Sequence, residues 1–209
     1  MLLPQFPLGS ALVPGAVLPL QIFEPRYRAM AADLLDDGGR FEGQPFGVVL
    51  IERGHEVGGD DVRTEVGTAA KIIDHRRLPD GRTALVAVGT ERFRVVRWLD
   101  DDPYPLAEIE WWPDDDAPGA HLDDRAETVG ALLRRTWALA AEAGRRVGPL
   151  PEFDAEPTTR SFQLLAAAPL GPLDRHQLLC APSTEERLDA LETMMREAAE
   201  MFELEIRTD

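Results

Sequence analysis

The hydrophobic period of this chain changes once, and it does not change back. Before residue 113 the apolar residues fall in short alternating or β-branched runs; after residue 119 they recur at every third or fourth position. A period of two puts alternate side chains on opposite faces of a strand, and a period near 3.6 puts them on one face of a helix. The two halves must therefore fold differently. Residues 113–119, rich in proline and aspartate, are the natural joint between them. The expected fold class is α+β, with a β-rich domain over residues 1–116 and an all-helical domain over residues 120–209.

In the first half, Phe46-Gly47-Val48-Val49-Leu50-Ile51 lies between Gly43 and Gly54 and predicts a strand over 44–52. Two further runs, 65–74 and 82–88, flank Pro79-Asp80-Gly81. Pro79 presets φ and Gly81 accepts a positive φ, so these runs read as a hairpin. Residues 92–98 alternate and then slip at Val95-Val96, which marks a β-bulge. Residues 106–112 give one more strand, with Ala107, Ile109 and Trp111 on one face and Leu106, Glu108 and Glu110 on the other. A single helix is expected here, over 25–35. Pro25 suits its first turn, Tyr27, Met30 and Leu34 share a face, and Gly38-Gly39 ends it.

In the second half, Leu122, Ala126, Val129, Leu133, Trp137 and Ala140 predict a long helix, broken between Gly144 and Pro151. Shorter helices over 158–168 and 173–180 are separated by Pro169-Leu170-Gly171-Pro172. Ser183-Thr184-Glu185-Glu186 is a capping box that opens the last helix. Leu188, Leu191, Met195, Ala198 and Phe202 follow as one stripe, which either packs within a small bundle or serves a homodimer or partner interface.

Charge narrows the function. The formal net charge is −16, a field that repels phosphate backbones and anionic membrane surfaces, so no nucleic acid and no membrane partner is expected. Asp100-Asp101-Asp102 and Asp114-Asp115-Asp116 read as solvated loops, because neither has the alternating ligands and central glycine of an EF-hand. The one cysteine, Cys180, excludes an internal disulfide and points to a cytoplasmic location. His55, His75 and His121 fall in expected loops without metal-ligand spacing, and Gly54, Gly58 and Gly59 do not open a helix after a strand; neither metal nor cofactor is expected. His176 and Cys180 stand one helical turn apart, but nothing points to the orienting group or oxyanion donors that a nucleophile pair requires.

Four stretches, in order, carry a family resemblance: Ile22-Phe23-Glu24-Pro25-Arg26-Tyr27, Phe46-Gly47-Val48-Val49-Leu50, Val66-Gly67-Thr68-Ala69-Ala70-Lys71-Ile72 and Gly89-Thr90-Glu91-Arg92-Phe93-Arg94-Val95. Together they resemble the N-terminal substrate-binding domain of ATP-dependent Lon proteases, over roughly residues 4–112. The resemblance implies a PUA-like β pseudo-barrel followed by a helical bundle, and a role in recognising proteins or peptides. It also sets an expectation of a stand-alone member without the ATPase and protease parts. No Gly-x-x-x-x-Gly-Lys-[Ser/Thr] stretch occurs, and the one lysine, Lys71, follows Ala70. The expectation is therefore a non-catalytic protein- or peptide-binding module, not an enzyme. The alternatives are a small-molecule-binding or regulatory protein with a pocket between the two parts, and, against the charge, an RNA-binding PUA-like module.

Two motifs combine an aromatic residue with arginine, the types enriched at binding hot spots. Phe23, Glu24, Arg26 and Tyr27 form the first, with Phe23 and Tyr27 as aromatic anchors and Arg26 as a carboxylate or carbonyl donor. Arg92, Phe93 and Arg94 form the second; with Phe93 inward, both arginines are expected to point outward. The competing reading makes Phe23 and Phe93 core and has a Glu24–Arg26 pair pin the corner.

Overall fold

Prolines crowd the start of the chain, yet Leu2–Leu8 and Val17–Ile22 are strands, β1 and β2. Neither is evident in the sequence, because Pro4, Pro7 and Pro19 interrupt the pattern that marks a strand. In β1 each proline has a ladder on one side only. Leu2–Pro4 pair with the last strand, β6 (Leu106–Trp111), and Gln5–Leu8 pair with β3 (Phe46–Arg53). β2 is an edge strand, where proline is tolerated.

The structure, a computed structural model, describes residues 1–54, 62–116 and 121–208; His55, Gly58 and Gly59 lie outside the described residues. The chain divides into two compact units, Met1–Pro113 and Asp114–Asp209.

The first unit contains helix α1 (Pro25–Leu35) and two long strands, β4 (Val62–Arg77) and β5 (Thr83–Trp98). The runs 82–88 and 92–98, expected as separate strands, are one: the ladder to β4 passes through Gly89 with only a register shift. Where the pattern slips at Val95-Val96, the pairing to β6 also shifts between Val95 and Arg97, as a bulge requires. His75, expected in a loop, lies in β4 opposite Leu85. The strand order is β2-β5-β4-β3-β1-β6, and β6 pairs back onto β5. The ring β5-β4-β3-β1-β6 is therefore closed, which is the pseudo-barrel, and β2 hangs on the first half of β5.

Closure separates two apolar layers. Leu3, Val49, Ala69, Phe93, Ala107 and Ile109 come from all five ring strands and pack together. The opposite faces, Phe6, Leu8, Val48, Ala70, Leu85 and Ala87, pack against Tyr27, Met30, Ala31 and Leu34 of α1. Two buried faces explain why β1 and the first five residues of β3 are buried almost without a break. Gly67 marks a close approach between the layers: a Cβ there would meet the Val48 carbonyl oxygen at 2.5 Å and Phe93 Cζ at 2.7 Å.

The second unit holds α2 (Leu122–Glu142), α3 (Pro157–Ala167), α4 (Pro172–Leu179) and α5 (Thr184–Thr208). Arg125 near the start of α2 pairs with Asp189 near the start of α5, and Arg145 just past α2 pairs with Glu205 near the end of α5. The two long helices thus run parallel. Their buried residues are those of the sequence stripes: Ala126, Val129, Leu133 and Ala140 on α2, and Leu188, Leu191, Met195 and Phe202 on α5. The α5 stripe is accordingly buried within this unit, while Met201 and Leu204 stay exposed outside it. Arg175 donates to the carbonyls of Ala166, Ala168 and Leu170 and so ties α4 to the end of α3; burial lowers its pKa.

Asp114-Asp115-Asp116 is not the solvated loop expected from its composition. The Asp114 carboxylate accepts from Arg187 Nη1 at 3.0 Å and Nη2 at 2.5 Å, and the Thr184 N–H donates to Asp116 Oδ1 at 2.7 Å. Ser183 Oγ accepts from the Glu186 N–H at 3.1 Å, as the capping box requires. The acidic run therefore completes the cap of α5. No helix among the described residues is long and apolar enough to cross a membrane.

Candidate functional site

The sharpest corner of the first unit is the passage from β2 into α1. Ile22 is buried at the strand end, and Pro25 starts the helix with the φ it already has. Between them Phe23 is 53% exposed. Glu24 stands at the N-cap without a side-chain capping bond, because its carboxylate takes Arg26 Nε instead, at 3.2 Å. The Arg26 guanidinium also lies over the Tyr27 ring, 4.5 Å from its centroid. Tyr27 itself is 3% exposed and packs on Phe6 with ring centroids 4.2 Å apart. Of the corner residues only Phe23 is freely presented; Tyr27 belongs to the core and Arg26 is held at the corner.

The second motif lies elsewhere. Ile22 pairs with Thr83 at the first residue of β5, whereas Arg92, Phe93 and Arg94 occupy the far half of that strand, beside β6. The two motifs do not form one surface. Phe93 is fully buried among the ring strands. The expectation that both arginines point outward is corrected for Arg92, which is 4% exposed. The physical cause is Trp112, which takes Arg92 at 4.4 Å and Arg94 at 3.7 Å from its ring centroid. A guanidinium stacked on indole exchanges water for the ring face at little electrostatic cost. Arg94 stays exposed.

Next to the Phe23 corner is a feature that no single stretch of sequence displays. A groove of about 500 Å³ runs between α1 and the β4–β5 turn. Pro25, Ala29, Ala32, Leu35 and Leu78 give it an apolar lining, and Arg28, Arg77 and Arg82 add three guanidinium groups. Arg77 pairs with Asp36. Arg82 pairs with Asp80 at 2.8 Å and reaches Gln21 Oε1 at 3.3 Å. The Arg82 backbone N–H, followed by its guanidinium, holds the Asp80 carboxyl below its ordinary value. The one legible signal was the arginines flanking the Pro-Asp-Gly turn; Arg28 joins them only through the fold.

The remaining chemistry is sparse. Cys180 Sγ lies 3.8 Å from each ring nitrogen of His176. Among the described residues no group of three histidine, cysteine or acidic side chains is placed to hold a metal ion.

Comparison with known proteins agrees with this architecture. Residues 2–197 match the family described as the ATP-dependent protease La (LON) substrate-binding domain. Lon protease 1 of Herpetosiphon aurantiacus is 28% identical over 202 residues, covering 91% of this chain and 23% of that protein. Lon protease 2 of Myxococcus xanthus is 32% identical over 151 residues, covering 67% of this chain and 18% of that protein. The chain thus spans about a quarter or less of the length of the curated relatives it matches. Among solved structures, a Lon N-terminal domain protein from Xanthomonas campestris superposes with a TM-score of 0.62 at 29% identity, over 91% of this chain and 96% of that one. The N-terminal domain of the Mycobacterium avium complex Lon protease gives 0.60 at 20% identity, over 94% of this chain and 99% of that one, a likeness of fold alone. The chain belongs to the ATP-dependent protease La (LON) substrate-binding domain family.

Proposed function

We propose that this chain is a non-catalytic module that binds proteins or peptides, and that it engages them on the β-barrel unit beside Phe23. The observation that carries the reading is the apolar-lined groove next to an exposed aromatic in a member of a substrate-binding family. Exposed apolar surface of this kind, flanked by polar groups, is what recognition modules offer to extended segments. Strand addition is the less suitable mode. On the outer edge of β2, Pro19 withholds a backbone donor in the middle of the strand. The net charge of −16 counts against nucleic acid as the partner.

Binding of fluorescein-labelled β-casein, a protein with little fixed structure, tests the reading by fluorescence anisotropy. Saturable binding without ATP turnover or cleavage of the casein is expected. Absence of binding, or robust turnover of ATP or casein by the purified chain, overturns it.

A further inference from the structure

We propose that the groove between α1 and the β4–β5 turn takes an extended peptide segment that alternates acidic and apolar residues, its side-chain carboxylates meeting Arg28, Arg77 and Arg82. The inference rests on the protein-binding reading and names the class of segment.

The motivating observation is a local reversal of charge. The chain has 38 acidic against 22 basic residues, yet the groove is lined by three arginines and one acid, Asp36. Arg77 answers that acid, and Arg82 is answered by Asp80. Among the described residues the Arg28 backbone N–H donates to the Glu24 carbonyl, but its guanidinium makes no hydrogen bond and no ion pair. An unanswered guanidinium between two answered ones leaves the groove net cationic in an anionic protein. Carboxylates are the groups that fit a guanidinium fork.

The turn is shaped around Arg28. Gly81 has φ +81, and a Cβ there would lie 2.8 Å from Arg28 Nη2. Glycine thus permits the left-handed turn and also leaves room for the end of that side chain. The apolar lining supplies the second requirement. Successive side chains of an extended peptide point to opposite sides, so an alternating segment sends apolar groups to Ala29, Ala32 and Leu35 and carboxylates to the rims. Guanidinium groups on both α1 and the turn match several side-chain carboxylates better than one chain terminus.

Anisotropy with short labelled peptides and the full chain tests this. A Leu-Glu repeat should bind roughly tenfold or more tighter than a Leu-Gln repeat, since the difference is the charge-assisted contact. A Leu-Lys repeat should not bind. Arg28→Glu should weaken the Leu-Glu repeat by about tenfold or more, and Gly81→Ala should weaken it in the same direction. Lys71→Glu, an equal charge change on an exposed residue outside the groove, should leave it unchanged. Melting temperatures of the variants confirm that each is folded. The proposal is overturned if the Leu-Gln repeat binds as well, if a Ser-Glu repeat or an oligouridylate competes equally, or if Arg28→Glu has no effect. Labelled β-casein in the same series separates the two levels. Casein binding that ignores Arg28→Glu removes the groove and leaves the protein-binding reading standing; no binding of casein or of any peptide removes both.

Discussion

Arg187 and Asp114 form a two-pronged ion pair in which the arginine side chain has no exposed surface and the aspartate side chain is 7% exposed. Arg187 Nε donates to Ser161 Oγ at 2.8 Å, and the guanidinium lies over the Phe162 ring at 3.7 Å from its centroid. Arg187 thereby joins α5 both to α3 and to the acidic run. Such a pair is desolvated on both sides, so its value lies less in the attraction than in what is left when one partner goes.

Asp114→Ala is therefore expected to destabilise the helical unit by about 3–5 kcal/mol, because it strands a buried guanidinium. The double variant Asp114→Leu with Arg187→Met should be less destabilised than Asp114→Ala alone, since no charge remains to be buried. Urea unfolding followed at 222 nm measures both. A cost for Asp114→Ala no larger than that of a surface substitution would show that the pair is solvated after all.

Tyr104 gives an alkaline prediction for the barrel unit. Its hydroxyl donates to Asp33 Oδ2 at 2.5 Å from a side chain that is 1% exposed. Burial first, and then the hydrogen bond to and charge of Asp33, raise the pKa of its phenol well above the ordinary value. A folded-state pKa above the unfolded one contributes stability that is present below the unfolded pKa and lost as pH rises. The wild type should therefore lose stability relative to Tyr104→Phe from about pH 10 upward. Parallel stability curves for the two proteins across that range would refute the assignment.

Glu156 gives the acid counterpart. It caps α3, with its carboxylate accepting from the N–H groups of Thr158 at 3.0 Å and Thr159 at 2.7 Å. Partial burial pushes its pKa up, but the bonds from Thr159 and Thr158 outweigh this and the net shift is downward. A lowered folded pKa contributes stability above the unfolded value and loses it as pH falls. Glu156→Ala should cost about 0.5–2 kcal/mol near neutral pH. The difference should shrink below about pH 4. A pH-independent difference would mean that the charge of the carboxylate is not what matters.

The legible parts of this structure are those where neighbours in sequence decide the outcome. The bounds of α1 follow from Pro25 and the Gly38-Gly39 stop, and the bulge near Val95 follows from a slip in a local alternation. The missed parts depend on partners far away in the chain. β1 and β2 survive their prolines because of which side each ladder falls on. Arg92 is buried because Trp112 arrives from just past the end of β6, and Asp114 because Arg187 arrives from α5. The groove likewise draws Arg28 from α1 and Arg77 and Arg82 from the β4–β5 hairpin. Of the two motifs singled out for binding, the sequence showed the aromatic–arginine chemistry but not that Tyr27 and Phe93 turn inward while Phe23 turns out.

That last contrast yields the most direct separation of binding from folding. Phe23 and Tyr27 lie one turn of chain apart at the same corner, one 53% exposed and the other 3%. Truncating an exposed aromatic away from caps and ion pairs usually changes stability by within about 0.5 kcal/mol. Truncating a buried one costs about 3–5 kcal/mol through lost transfer energy and a cavity. Tyr27→Ala also removes the ring beneath Arg26 and the partner of Phe6, so its cost should lie in that buried range. Binding should follow the opposite order. If Phe23 is an anchor, Phe23→Ala should weaken β-casein binding by about 2 kcal/mol or more with the melting temperature nearly unchanged. Tyr27→Ala, measured well below its lowered melting temperature, should keep most of the affinity. If Phe23→Ala binds casein as the wild type does, the corner is a structural turn and the recognition surface lies elsewhere on the unit.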